Sequence, residues 1–432
     1  MASTSGVTRR QFLAKAAGTA VGVVGIPHLV SSSALGQDGN TAASERITLG
    51  FIGCGKQGTY LLQSFLNARG AQVLAVCDVD KLKLERAKRI SDEHYARRSG
   101  ASYQGCGAAG EFRELLARAD IDAVVIATPD HWHAIGVIEA ARVGKDIYCE
   151  KPLSQTIAEA RAMVNAVRRY NRVFQTGSMQ RSDWHFRLGC ELVRNGYIGD
   201  LQHITVGVGG PPADQPLPAE TVPDYLDWDR WLGPALWRTY NSDLSPHISQ
   251  DVFPNWRYHS EFGGGAMTDW GAHHFDIAQW AMGMDESGPV EIIPPDGKDY
   301  RVLTYKYASG VTMVRDNANG VLFSGTKGIV ETNRGHLRTS PEELKDVQIK
   351  PDEIHLYESN NHYVDWLDAI RKRAKPVCDI ETGCRSVTVC HLGNIAYKLQ
   401  RPLRWDPEKE VFVGDDEANR LLSRSYRSPW QA

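Results

Sequence analysis

The sequence has 432 residues, of which 42% are hydrophobic and 23% are charged. These proportions are ordinary for a soluble globular protein, and the length allows two to three domains at roughly 100–200 residues each. The formal net charge is only −3. The chain therefore lacks the broad basic field of a nucleic-acid-binding protein, and we expect no nucleic-acid partner.

The first 36 residues have the features of an export signal. Residues 8–15, TRRQFLAK, resemble the twin-arginine signal, and the weakly apolar stretch 16–30 that follows is too short and mild for a stable membrane span. Residues 34–36 offer a small-residue cleavage site. We predict a signal peptide over 1–36, a polar linker over 37–45, export to the periplasm and no membrane anchoring after cleavage. A disordered basic arm is the alternative.

A dinucleotide-binding pattern begins directly after the linker. Ile47–Ile52 is a short apolar run typical of a buried strand, Gly53-Cys54-Gly55-Lys56-Gln57-Gly58 follows it, and a helical pattern then runs to Gly70. In such a motif the first glycine permits a tight turn, the second lets a pyrophosphate approach the backbone, and the third lets the helix pack on the strand. The helix N-terminus supplies free N–H groups to the phosphates.

An acidic residue follows the next strand. Residues 71–77 form a second apolar run that ends at Asp78. A carboxylate at this position accepts hydrogen bonds from ribose hydroxyls and disfavours a 2′-phosphate, so we expect NAD in preference to NADP. Lys81 nearby would weaken that preference, which leaves NADP as the alternative.

The alternation of strands and helices continues. Residues 122–127 and 146–149 predict two more buried strands, closed by Thr128-Pro129 and by Glu150-Lys151-Pro152, with a helix over 131–142 between them. This order predicts a parallel, doubly wound sheet, and ligands bind at the carboxyl ends of its strands. The glycine turn, Asp78 and both closing segments fall at those ends, which favours a single site.

Five sequence stretches together resemble the glucose–fructose oxidoreductase and inositol dehydrogenase family, also called Gfo/Idh/MocA. They are GFIGCGKQG, AVVIATPDHWHA, GKDIYCEKPLS, FQTGSMQRS and GGGAMTDWGAHHFD, and the run from Cys390 to Trp430 is also similar to bacterial members. The resemblance implies a Rossmann domain, here 46–175, followed by an α/β domain with an open, mainly antiparallel sheet, here 176–432 with a C-terminal tail. It also implies a homodimer or homotetramer.

Oxidising a secondary alcohol needs a hydride acceptor, a base and a group that stabilises the developing oxyanion. The resemblance assigns the lysine of the EKP motif, Lys151, to the reacting hydroxyl. A surface salt bridge between Lys151 and Glu150 is the alternative reading. Pro152 holds Lys151 out of helical conformation.

An acid–histidine pair is the second part of the expected catalytic group. Residues 266–282 predict a helix opened by Gly263–Gly265, and Asp269 and His273 are four apart on one face of it. The resemblance implies that the histidine is the base, and a carboxylate beside it would raise its pKa. A purely structural pair is the alternative. His274 points elsewhere around the helix, and we assign it and Asp276 to packing or hydrogen bonding.

Aromatic residues are frequent between 223 and 258. Such rings stack on the apolar faces of sugars, but we expect most of them to fill a core, with one or two, such as Trp256, facing substrate. Arg181 and Trp184, after the FQTGSMQ stretch, are further substrate candidates. The predicted cofactor contacts are Gly53, Gly55, Lys56, Gln57, Gly58, Asp78, Thr128, Pro129, His133, Glu150, Lys151 and Gln180.

The eight cysteines contain no CxxC pair and several lie in apolar runs, so we expect buried thiols. No spacing matches a known zinc motif, and no metal is expected. We predict an NAD(P)-dependent oxidoreductase of a sugar or polyol, with an exchanging or a tightly bound cofactor. A redox-neutral NAD-requiring glycoside hydrolase or lyase and a non-catalytic sugar-binding protein are the alternatives.

Overall fold

The structure, a computed structural model, describes residues 42–99 and 102–431. The chain divides into two units, residues 1–46 and residues 47–432. The described part of the first unit contains a short 3₁₀ turn at Ala43–Glu45. The predicted signal peptide over 1–36 and the larger part of the predicted linker lie outside the described residues.

The second unit alternates strands and helices in its first part and is richer in strands in its second. Strands β1 to β15 are Ile47–Ile52, Ala71–Cys77, Gly107–Ala109, Ala123–Ile126, Asp146–Cys149, Phe174–Thr176, Leu201–Val206, Glu291–Ile293, Thr304–Lys306, Thr312–Arg315, Val321–Gly325, Ile329–Asn333, His336–Ser340, Leu403–Asp406 and Val411–Phe412. Helices α1 to α12 are Lys56–Leu66, Lys81–Ser99, Phe112–Leu116, His133–Arg142, Ile157–Arg169, Trp184–Arg194, Trp228–Leu232, Ala266–Asp269, Gly271–Met282, His362–Lys372, Ile380–Leu399 and Asp416–Arg420.

The first sheet has six strands in the order β3-β2-β1-β4-β5-β6, and every pair in it is parallel. This is the strand order of dinucleotide-binding domains, and it brings the carboxyl ends of β1, β2, β4 and β5 to one edge. Ala123–Ile126 is buried throughout because helices cover both faces of a parallel sheet. The predicted doubly wound sheet is confirmed. The predicted helix over 131–142 begins with a 3₁₀ turn at Asp130–Trp132.

The second sheet has nine strands in the order β13-β12-β11-β7-β10-β9-β8-β14-β15. Only the β7–β10 pair is parallel, and the other pairings are antiparallel. Helices α6 and α9 pack against the sheet, so that apolar residues such as Phe275 and Phe323 share one core. The predicted mainly antiparallel second sheet is confirmed.

The predicted helix over residues 266–282 is present as two segments. Ala266–Asp269 forms one turn, and Gly271–Met282 continues the chain after a break at Trp270. The longer segment is buried on nearly every side because it lies between the second sheet and helix α11. This burial fixes the direction in which His273 leaves the backbone, whereas Asp269 lies at the end of the preceding short segment.

The aromatic segment forms a small core of its own. Trp228 stacks on Trp231 with ring centroids 4.6 Å apart, and Tyr240 and Phe262 pack edge-on against them. The expectation that most of these rings fill a core is confirmed. All eight cysteines are free and buried, as predicted. Within the described ranges, no helix is long and apolar enough to cross a membrane.

The prediction that Arg181 faces a substrate is wrong. Its side chain is 1% exposed and its guanidinium binds the carboxylates of Asp276 and Asp285, with Nε 2.8 Å from Asp276 Oδ2 and Nη2 2.6 Å from Asp285 Oδ1. Ser386 Oγ also donates to Asp276, at 2.6 Å. The ion pairs join the turn after β6 to helix α9, through Asp276, and to the loop that follows it, through Asp285. Arg181 therefore supports the helix that carries His273. The packing and hydrogen-bonding role expected for Asp276 is confirmed.

We predict that Arg181→Met lowers the free energy of unfolding by about 3–5 kcal/mol, because it leaves the wholly buried Asp276 carboxylate without its counter-ion. Urea unfolding followed by tryptophan fluorescence measures the change. The control is Arg371→Met, which breaks an exposed pair with Asp368 and should cost less than about 1 kcal/mol. Equal, small losses in both variants would show that the buried pair does not hold the fold.

Candidate active site

The glycine turn after β1 is built by close backbone approaches. Gly53 has φ +90°, and a Cβ on it would lie 2.6 Å from the Ala127 backbone. A Cβ on Gly58 would overlap the Gly53 carbonyl oxygen, whereas one on Gly55 would meet nothing within 4 Å. Helix α1 starts at Lys56 with no side-chain cap, so its first N–H groups remain available to an anion. The turn therefore fits the pyrophosphate of a dinucleotide.

Asp78 is held against the glycine turn at the end of β2. Its Oδ2 accepts from Cys54 N at 2.6 Å and its Oδ1 accepts from Asp80 N at 2.8 Å. Burial raises the pKa of this carboxyl, against the lowering effect of the Lys83 ammonium. Lys83 itself pairs with Asp80 at 3.1 Å. The position predicted to contact a ribose thus carries an acid with a lysine beside it.

A cleft opens at this edge of the first sheet. Of the residues predicted to bind cofactor or substrate, the cleft is lined by Gly53, Gly55, Lys56, Gln57, Asp78, Thr128, Pro129 and Trp256. Further lining residues that the sequence did not single out include Lys83, Arg230, Phe253, Arg257 and Trp430. Composition pointed to segment 223–258, but nothing local indicated which of its residues reach the cleft.

Segment 225–257, which we call the cover, is bonded to both sides of the cleft. On one side, the Lys56 ammonium contacts the Asp251 backbone oxygen and carboxylate and lies 5.2 Å from the centre of the Phe253 ring. On the other side, Lys81 N donates to Tyr225 O at 2.9 Å. The cover therefore spans the cleft from the glycine turn to the loop after β2.

Segment 424–430, the closing segment, completes the far wall of the cleft. Arg427 Nε donates to Gly233 O at 3.0 Å, and its guanidinium also binds Asp229 in the cover. Trp430 packs edge-on against Trp132 with ring centroids 4.8 Å apart. The sequence gives no sign of this contact because nearly 300 residues separate the two rings.

Lys151 and Asp269 form an ion pair where β5 ends. Lys151 Nζ lies 2.6 Å from Asp269 Oδ1 and 3.0 Å from the Asp269 backbone oxygen. Arg257 Nε stands 3.8 Å from the other carboxylate oxygen. Burial pushes the pKa of Asp269 upward, but the Lys151 and Arg257 charges outweigh it and hold the pKa below its usual value. Lys151 pairs with Asp269, and the alternative salt bridge with Glu150 is not formed.

Glu150 and His133 form hydrogen bonds that hold the loops next to Lys151 in place. Glu150 accepts from Gln57 Nε2 at 3.0 Å and from Lys151 N at 3.2 Å. His133 Nδ1 lies 2.9 Å from Pro152 O and Nε2 lies 3.0 Å from Thr128 O. The prediction that His133 contacts the cofactor is wrong, because the ring is buried and both nitrogens face backbone carbonyls. It holds the loops after β4 and β5 together.

His273 is 5% exposed, and its Nδ1 has no hydrogen-bond partner among the described residues. Burial, with the positive charges of Lys151 and Arg334, lowers its pKa well below the ordinary value. The expectation that Asp269 raises this pKa is wrong, since Lys151 takes the carboxylate. His273 is therefore neutral near pH 7, the state in which an imidazole accepts a proton.

Asp130 is an acid of this region that the sequence did not single out. It is buried at the start of the 3₁₀ turn after β4, and burial with the nearby Asp269 charge raises its pKa well above the usual range. Burial thus disfavours a further negative charge beside Lys151. The sequence feature that could have identified Asp130 is its position directly after Thr128-Pro129, at the end of a predicted strand.

The remaining predicted residues divide between interior and surface. Gln180 is buried, and neither its amide nitrogen nor its amide oxygen has a partner in the described ranges. Trp184 is half exposed, stacks on His185 and does not line the cleft. His274 Nδ1 bonds to Gly207 O at 2.7 Å, so its expected packing role holds. Over residues 42–99 and 102–431, no three His, Cys, Asp or Glu side chains form a metal-binding group.

Several known proteins are similar to this chain. The uncharacterized oxidoreductase YrbE of Bacillus subtilis (strain 168) is 25% identical over 378 residues, 83% of this chain and 95% of that protein. A glycosyl hydrolase family 109 protein of Shewanella sp. (strain MR-4) is 31% identical over 160 residues, but these make up only 34% of its length and 37% of this chain.

Two solved structures share the fold. One is described as aldose-aldose oxidoreductase from Caulobacter crescentus complexed with glycerol, with a TM-score of 0.56, 18% identity and coverage of 83% of this chain and 99% of that one. The other is described as the WlbA dehydrogenase from Bordetella pertussis in complex with NADH and UDP-GlcNAcA, with a TM-score of 0.57, 18% identity and coverage of 84% and 99%.

Two family domains cover most of the chain. Residues 47–178 match the domain described as oxidoreductase family, NAD-binding Rossmann fold, and residues 212–432 match the oxidoreductase family, C-terminal alpha/beta domain. The order of the two domains agrees with the parallel and the mainly antiparallel sheet described above. The chain belongs to the Gfo/Idh/MocA oxidoreductase family and carries its nicotinamide-cofactor-binding Rossmann domain.

Proposed function

We propose that this protein oxidises or reduces a secondary hydroxyl of a sugar or polyol with NAD. The observation that carries the proposal is the Lys151–Asp269 ion pair, with a neutral His273 four residues further on, beside a cleft that fits a dinucleotide. When bound, the cofactor supplies the hydride acceptor or donor. The described aldose-aldose oxidoreductase neighbour supports the choice of a sugar.

The three side chains have separate roles in this proposal. Lys151 donates a hydrogen bond to the reacting oxygen and stabilises negative charge that develops on it. His273, unprotonated near pH 7, accepts the hydroxyl proton. Asp269 holds the Lys151 ammonium in place through its carboxylate and backbone oxygens. Asp78 supports NAD over NADP, because a carboxylate repels a 2′-phosphate, although Lys83 lies in the same wall.

We further propose that the nucleotide stays bound between turnovers. The cover contacts both sides of the cleft, and the closing segment adds Trp430 to its wall. A retained cofactor suits export of the folded protein by the twin-arginine route to the periplasm, where free NAD is not expected. A sugar oxidised in one half-reaction would then be balanced by a second sugar reduced in the other.

A second candidate is redox-neutral glycoside cleavage. It is supported by the 31% identity to a glycosyl hydrolase family 109 protein over 160 residues. The two functions differ in their products, since only the cleavage releases an aglycone without net oxidation. Incubation with an aryl glycoside, followed by detection of the free phenol, separates them.

We predict that Lys151→Ala lowers kcat about 10²- to 10⁴-fold, the range typical of a lost proton-transferring or oxyanion-stabilising group. Nucleotide binding should persist, because the glycine turn and Asp78 are untouched. Hydride transfer is followed as NADH absorbance in a single turnover of the bound nucleotide, and the amount of bound nucleotide is measured by mass spectrometry after denaturation. Lys298→Ala, at an exposed lysine far from the cleft in sequence, is the control. Wild-type turnover in Lys151→Ala would refute the assignment.

We predict that kcat/KM stays level as the pH falls from about 7.5 to about 6, the interval in which an ordinary histidine gains its proton. The reason is that burial and nearby positive charges hold the pKa of His273 well below its ordinary value, so we expect the base to remain unprotonated there and activity to decline only at lower pH. Initial rates across this range measure the profile. A decline with a midpoint at or above about pH 6.5 would contradict the neutral His273.

We predict that the purified protein carries about one NAD(H) per chain and that Asp251→Ala combined with Phe253→Ala releases it several-fold faster. Each change removes an exposed contact to Lys56 that contributes roughly 0.5–1 kcal/mol. The release of bound NADH is timed by stopped-flow fluorescence in the presence of a trap that prevents the released NADH from rebinding. Val252→Ala, an exposed neighbour in the same segment, is the control and should leave the rate unchanged. An empty protein that exchanges NAD rapidly would overturn retention.

A further inference from the structure

Positive charges outnumber negative charges around Asp269. Lys151 and Arg257 both approach its carboxylate, and Arg334 is a third cation whose charge acts on Asp269 and on His273. Burial and the Asp269 charge raise the pKa of Asp130 and so disfavour its ionised form. Glu150, which accepts from Lys151 N, is the other carboxylate here, so three cations face the two acids Asp269 and Glu150.

Arg334 differs from the other two cations because no carboxylate in the described ranges pairs with it. It occupies the exposed turn between β12 and β13, and its guanidinium carbon lies 5.0 Å from the centre of the Trp270 ring. The neighbouring Arg338, on the same hairpin, has Glu331 at 2.9 Å. The fold thus places one unpaired guanidinium beside the catalytic group.

Trp270 connects this guanidinium to the reacting centre. It forms the break between helices α8 and α9, is 43% exposed and packs edge-on against His273 with ring centroids 6.1 Å apart. Indole edges and faces bind the apolar side of a sugar ring, and a guanidinium fork matches an oxyanion. Together the two side chains form a rim with one apolar and one cationic element.

We infer that the substrate is a sugar carrying an oxyanion, a carboxylate or a phosphate, and that Arg334 binds that group while Trp270 supports the ring. This inference rests on the proposed oxidoreductase function and adds the charge of its substrate. Arg334 is then a specificity-determining residue: it affects which sugars bind and leaves the reacting hydroxyl to Lys151.

The test compares neutral and anionic sugars on the full chain with its nucleotide bound. Glucose, glucuronate and glucose 6-phosphate are assayed by reduction of the bound nucleotide to NADH in a single turnover, whose dependence on sugar concentration gives KM and whose maximal rate gives kcat. Quenching of tryptophan fluorescence measures binding, and the proteins compared are wild type, Arg334→Gln, Arg334→Lys and the paired-arginine control Arg338→Gln. We expect Arg334→Gln to raise KM for the preferred anionic sugar about tenfold or more. The kcat for that sugar and the KM for the neutral sugar should change little. Added salt should weaken anionic binding alone.

The outcomes separate the two proposals. Equal KM values for neutral and anionic sugars in wild type, or equal effects of Arg334→Gln and Arg338→Gln, overturn the inference. If Arg334→Gln raises KM more for glucose 6-phosphate than for glucuronate, the oxyanion is a phosphate. If it raises KM more for glucuronate, the oxyanion is a carboxylate. If no sugar changes the nucleotide, the proposed function fails, and fluorescence quenching still decides whether Arg334 selects anions. If Arg334→Lys, which keeps the positive charge, retains part of the preference for anionic over neutral sugars, the result supports recognition of the charge.

Discussion

The ion pair between Lys151 and Asp269 is the contact on which the arrangement of the site depends. Lys151 follows a strand of the parallel sheet, and Asp269 belongs to the helical pair packed on the mainly antiparallel sheet, so this ion pair joins the proposed catalytic residues of the two halves. Each side is braced separately: His133 ties the loops after β4 and β5, and Arg181 anchors helix α9. His133 holds the loop that carries Lys151, and Arg181 holds the helix that carries His273.

The charge states around this pair follow from burial and from which partner each group has. Two cations outweigh the desolvation of Asp269 and lower its pKa, desolvation and a like charge raise the pKa of Asp130, and burial and cations together lower the pKa of His273. The pKa values of the two neighbouring acids are thus driven in opposite directions. A proton acceptor and a fixed ammonium coexist because the acids between them are either paired or neutral.

Features set by local sequence were predictable. Ile47–Ile52 and Ala71–Cys77 were located from apolar runs, and the glycine turn from its spacing, because each depends on residues adjacent in the chain. Contacts between residues that are distant in the sequence were not predictable. Arg181 was misassigned because Asp276 lies 95 residues away, and the pKa of His273 was misjudged because Lys151, 118 residues before Asp269, takes the carboxylate. The cover and Trp430 reach the cleft only through tertiary packing.

The position of Trp430 has a consequence for the order of events during synthesis. The glycine turn and Asp78 emerge early, but the wall that Trp430 forms with Trp132 cannot exist until the ribosome has completed the chain through residue 430. The proposed retention of the nucleotide therefore depends on a residue far from the glycine turn in the sequence, because without Trp430 the groove beside Gly53 and Asp78 lacks part of its wall. A contact made late in synthesis thus completes a cleft whose first residues are made early.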